Sequence, residues 1–98
     1  MVLKKDKQKV LGEVFDDDRI RTFLQFKSPA GVNRDFHLLE KAYRGMKAEN
    51  FDTFVEFFVA AGHDINAKSP KNKTILEIVQ THRHGQDYAE SLLAKGAR

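Results

Sequence analysis

Apolar residues recur at spacings of three and four along most of this chain, and polar, Gly- and Pro-containing stretches interrupt them. Val10, Leu11, Val14 and Phe15 read as a short helical turn weakened by Gly12. Asp16, Asp17 and Asp18 then precede Ile20, Phe23 and Leu24. Aspartates ahead of such a pattern mark a helix start, because their oxygens accept from free N–H groups and their charge suits the positive helix end. The spacing predicts a helix over about 17–26. Lys27-Ser28-Pro29-Ala30-Gly31 is a loop, after which Asn33 or Asp35 caps a second helix with Phe36, Leu39, Ala42, Tyr43 and Met46 on one face. A third helix is predicted over about 50–61. Phe51, Phe54, Val55 and Phe58 form its stripe, and Phe57 and Val59 widen it enough to place the helix between two neighbours.

Gly62 ends that helix, supplying the left-handed residue that follows many last turns. His63 to Lys73 is a polar connection. Thr74 opens a fourth helix with Ile75, Ile78 and Val79 on one face and Leu76 at its edge. His82-Arg83-His84-Gly85 forms a turn. A fifth helix, over about 86–95, carries Ala89, Leu92 and Leu93 and ends at Gly96. No segment sustains strand alternation, so the expected fold class is all-α, with about five helices.

The length of 98 residues suits one domain, expected over 10–98 behind a basic tail at 1–9. The formal charge of +3 is concentrated in that tail. Four of the 17 Lys and Arg, but one of the 14 Asp and Glu, fall in the first nine residues, which leaves 13 of each elsewhere. Lys4, Lys5, Lys7 and Lys9 therefore form the segment able to meet phosphates, and otherwise serve as a solubilising terminus. There is no cysteine, which excludes disulfides and Cys-ligated zinc. No apolar run approaches the ~18 residues that span a bilayer, and no apolar core follows the basic start as a secretory signal requires. A cytoplasmic protein with no membrane partner is expected.

Candidate chemistry is sparse. His82 and His84 lie two apart in a turn, with His63 as a further nitrogen donor, whereas helical metal ligands are usually four apart. The Asp16–Asp18 run lacks the further oxygens of a Ca²⁺ loop and reads as a helix cap. No Gly-rich phosphate loop and no nucleophile–base set can be assembled. The expectation is no enzyme activity, no metal and no cofactor.

The last third of the chain resembles an ankyrin repeat. Gly62 and Gly96 are 34 residues apart, against a family period of ~33. Asp64-Ile65-Asn66-Ala67-Lys68 is similar to the family's hairpin segment, Thr74-Ile75-Leu76-Glu77 stands where the family has Thr-Pro-Leu-His, and Leu92 to Ala97 is similar to its closing phrase. Ile75, Glu77 and Val79 depart from the pattern, and the turn holds one extra residue. The likeness covers about residues 36–97, as one degenerate repeat and half of another, with the preceding helices as an N-terminal cap. The chain also resembles a family of short bacterial proteins with a similar Lys-rich start, a likeness that brings no activity with it.

The ankyrin resemblance implies a non-enzymatic module that binds another protein, as a monomer or weak homodimer. Its projecting loop would carry Lys68, Lys71 and Lys73, and its first-helix faces would offer Tyr43, Arg44, Lys47, Glu77 and Gln80. The alternative is a small RNA- or ribosome-associated factor that binds nucleic acid weakly through the Lys4 to Lys9 arm.

Overall fold

A computed structural model describes residues 16–98. The expected turn at 10–15 and the basic tail lie outside the described residues. The helices are α1 (Asp17–Thr22), α2 (Arg34–Gly45), α3 (Ala48–Ala60), α4 (Ile75–Val79) and α5 (Gln86–Ala94), with a 3₁₀ turn at Phe23–Gln25. The described residues contain no strand, only an isolated bridge between Lys68 and Thr74.

Asp16 starts α1, its Oδ1 accepting from the Arg19 N–H at 2.9 Å. The helix tightens into the 3₁₀ turn instead of continuing to residue 26. Asn33, not Asp35, caps α2: its Oδ1 accepts from the Asp35 and Phe36 amides at 2.8 and 3.2 Å. Arg34 reaches back across the loop and donates to the Leu24 and Phe26 carbonyls at 2.9 and 3.1 Å. That clamp closes the Lys27–Gly31 loop against the start of α2. Phe36, Leu39, Ala42 and Met46 are buried, with Leu38 beside them, while Tyr43 is half-buried.

Only Met46 and Lys47 separate α2 from α3, so the two helices pack back to back. α3 lies against α1, α2 and α5, which is why its Phe stripe is broad. Phe51, Phe54, Val55 and Phe58 are fully buried. Val59 departs from the expected stripe and is exposed, as is Leu93 on α5, whereas Leu76 is buried, not at an edge. A helix facing three neighbours leaves one strip for water, and Val59 falls on it.

The ends of α3 and α5 repeat one arrangement at an offset of 34. Gly62 and Gly96 have φ of 87° and 103°. Their amides donate to Val59 and Leu93, and the next amides, His63 and Ala97, donate to Phe58 and Leu92. One residue further, the Asp64 amide donates to the Asp35 carboxylate at 2.7 Å and the Arg98 amide to Asn66 Oδ1 at 2.9 Å. Lys95 pairs with Glu56 near the C-terminal ends of α5 and α3, while Glu49 and Asp87 share a groove at the N-terminal ends. The two helices therefore run side by side in the same direction. Two helix pairs, α2–α3 and α4–α5, are stacked, with α1 against the outside of α3.

Residues 63–73 form a stiff finger between the pairs. Ile65 and Ala67 are buried at its base. At its end Ser69 N–H donates to the Lys73 carbonyl at 2.8 Å, and Ser69 Oγ accepts from the Lys71 and Lys73 amides at 3.1 and 3.3 Å. Asn72 takes the left-handed conformation at φ 65° that closes the turn.

Candidate functional site

The finger delivers the chain to Thr74, which caps α4. Thr74 Oγ1 accepts from the Glu77 amide at 3.2 Å, and Glu77 Oε1 accepts from the Thr74 amide at 2.9 Å. This reciprocal pair satisfies two otherwise unpaired donors of a helix only five residues long. The Thr74 amide, aided by its hydroxyl and by the charges of Lys73 and Lys68, holds the Glu77 carboxyl below its ordinary value of 4.5. Glu77 stands on the proposed face, but its carboxylate is already engaged by the helix start.

At the far end of α4 the chain meets α2 through aromatic rings. Tyr43 stacks on His82 with centroids 5.6 Å apart and planes 15° apart, and its hydroxyl lies 2.6 Å from His82 Nδ1. Tyr88 meets Tyr43 edge-on at 4.8 Å, and its hydroxyl donates to the Met46 carbonyl. Burial, then Tyr43 and Asp87, push the Tyr88 hydroxyl above its ordinary value of 10.0. It stays a neutral donor that pins the α2–α3 link to α5. Phe51 lies beneath both tyrosines.

The other expected residues are spread over α2, the α2–α3 link, α4 and the finger, or lie outside the described residues. Arg44 is exposed and pairs with Glu40 at 3.4 Å, and Lys47 and Gln80 are exposed where α3 begins and α4 ends. Lys68, Lys71 and Lys73 are exposed on the finger and make no ion pair among the described residues. Lys4, Lys5, Lys7 and Lys9 lie outside the described residues.

The sequence conceals how charge is distributed between faces. Helices α3 and α5 hold Glu49, Asp52, Glu56, Asp87 and Glu90 and contain no Lys or Arg. An open groove of about 420 Å³ between them is lined by Glu49, Asp52, Asp87 and Glu90 with small residues between. Glu49 and Asp87 lie in first turns, where a negative charge suits the helix end.

Two histidines have partners distant in the chain that sequence spacing did not show. His63 Nδ1 lies 2.8 Å from Asp35 Oδ1, its ring stacked on Phe58. Asp35 Oδ2 accepts from the Asp64 amide, so one carboxylate ties α2 to the turn after α3. These contacts span 28 and 39 residues of chain, beyond any periodic signal. Among the described residues no group of three or more His, Asp or Glu is placed to hold a metal ion, and no helix is long and apolar enough to cross a membrane. Comparison with family models, curated proteins and solved structures returned no match to this chain.

Proposed function

We propose that the chain is a non-enzymatic, cytoplasmic protein-binding module related to ankyrin repeats. Its binding surface combines the 63–73 finger with the exposed faces of α2 and α4. The single observation that carries this reading is the doubled helix ending. Gly62 and Gly96, with the amides that follow them, repeat one hydrogen-bond arrangement 34 residues apart, and a rigid finger projects between the two units. Repeating helix pairs of this kind build extended surfaces and bury their apolar faces against each other. Tyr and Arg are favoured anchors at interfaces because they combine apolar area with directional hydrogen bonds, and Tyr43 and Arg44 occupy adjacent positions at the platform. No metal or cofactor is needed for this role.

The test is affinity capture with wild type and with the Tyr43→Ala/Arg44→Ala/Lys71→Ala variant, both checked for unchanged helical content. Loss of the captured partner from the variant is expected. Recovery of the same partners in the same amount would remove the surface assignment.

A further inference from the structure

Building on the protein-binding reading, we infer that the partner segment received by this surface is a short, extended, acidic stretch of polypeptide. Three observations converge on that chemistry. First, Lys68, Lys71 and Lys73 are held on a finger made rigid by Ser69, whose hydroxyl accepts from two of the finger's own amides. The lysines are thus presented from a fixed backbone, and little loop order has to be created on binding. Secondly, their charges are only partly offset: Lys73 and Lys68 act on the Glu77 carboxylate, but none of the three forms an ion pair among the described residues. Glu77, the acid on α4, is committed to the capping box, and five further carboxylates lie on α3 and α5. Arg44 has its partner in Glu40, whereas Lys47, like the finger lysines, forms no ion pair among the described residues. Thirdly, the Tyr43–His82 stack offers a flat, hydrogen-bonding surface at the other end of α4.

The distance between the two ends sets the length of the occupant. Between them α4, five residues long, advances by roughly 8 Å at the helical rise of ~1.5 Å per residue. Two or three residues of extended chain, at ~3.3 Å each, cover the helix, and a residue more at each end reaches the flanking finger and turn. An acidic stretch of this length finds its charge complement at the finger end and passes Glu77, whose carboxylate is held by the Thr74 amide. A longer nucleic acid strand carries phosphates beyond the finger lysines, and α3 and α5, with five carboxylates and no Lys or Arg, offer no basic face to receive them.

The experiment uses the full chain and two fluorescein-labelled probes, a 12-residue peptide alternating Glu and Ala around a central Tyr, and a 12-nucleotide oligothymidylate. Anisotropy titrations at low and physiological salt compare wild type, Lys68→Gln/Lys71→Gln/Lys73→Gln, and a control, Lys27→Glu/Arg98→Gln. Both variants lower the net charge by the same amount, and all the changed side chains are exposed. The expected result is peptide binding that weakens at least tenfold in the finger variant, less than twofold in the control, and falls as salt rises. Equal losses in the two variants would reduce the effect to net charge and overturn the inference. Tighter binding of the oligonucleotide than of the peptide would assign the surface to nucleic acid instead. Concentration-dependent self-association in sedimentation runs, lost in the finger variant and without peptide binding, would assign it to a second copy. If affinity capture retains a finger-dependent partner while the acidic peptide does not bind, the acidic-segment inference falls and the protein-binding reading stands.

Discussion

Glu77 shows how one exposed side chain can already have structural work of its own. Its position on the first turn of α4 follows from Thr74, and the Thr-x-x-Glu spacing is the signature of a reciprocal cap. Its carboxylate satisfies the Thr74 amide instead of standing ready for a partner. Replacing Thr74 by Ala is expected to cost about 1 kcal/mol, the usual loss for a cap, in urea unfolding at neutral pH. A loss under about 0.3 kcal/mol would mean that packing alone holds α4. The same cap has an acid limit. The Glu77 carboxyl is held below 4.5 in the folded chain, so the native state binds fewer protons than the unfolded one as acid is added. Its stabilisation is complete above the unfolded value and is lost as pH falls through the lower folded value. Glu77→Ala should therefore trail wild type at pH 7 and approach it once the pH has fallen well below 4.5.

The turn between α4 and α5 is governed by a single glycine. Gly85 is buried, and a Cβ built on it would lie 2.2 Å from the Val79 carbonyl oxygen and 2.8 Å from Val79 Cγ1. The obstacle is backbone, so a side chain cannot be accommodated by rotating a neighbour. Gly85→Ala is expected to destabilise the fold by about 1–3 kcal/mol, as overpacking does, with the largest rise in hydrogen exchange in α4 and α5. A variant as stable as wild type would show that the turn can open without cost. Element boundaries were largely legible, because Asp16, Asn33, Thr74, Gly62 and Gly96 are punctuation with local causes. The facing of α5 was less so. Leu92 is buried and Leu93 is exposed, although the two are adjacent apolar residues. A nine-residue helix of low amphipathicity does not say which of two leucines meets α3.

At the scale of the molecule, α3 is the helix on which the rest is arranged. Phe54 and Phe58 are fully buried and meet one another with ring centroids 5.7 Å apart and planes tilted by 34°. Phe58 also carries the His63 ring. Phe54→Ala and Phe58→Ala are each expected to cost about 3–5 kcal/mol in urea melts, because little else can move in to fill the space. Losses below 1 kcal/mol for both would place them outside the cooperative core. The charge pattern also belongs to this scale. The chain beyond the tail is balanced in number, yet five carboxylates and no Lys or Arg fall on α3 and α5, and the finger lysines stand together. A count along the sequence sees a sum near zero and misses the separation.

The sequence by itself determined the all-α class, the five helices of the described residues, the caps of α1 and α4 and most of the core. Each of these depends on neighbours within one or two turns: a side-chain oxygen reaching an amide three residues on, a glycine free to turn left-handed, an apolar stripe at helical spacing. It also placed the lysines on a loop. Only the tertiary structure decided that Tyr43 stacks on His82, that Asp35 holds both His63 and the Asp64 amide, and that Tyr88 closes on Met46. Those contacts join residues 28 to 42 apart in the chain. They exist because two helix pairs stack with α3 and α5 running in one direction, and no local spacing encodes which side chains such a stacking brings face to face.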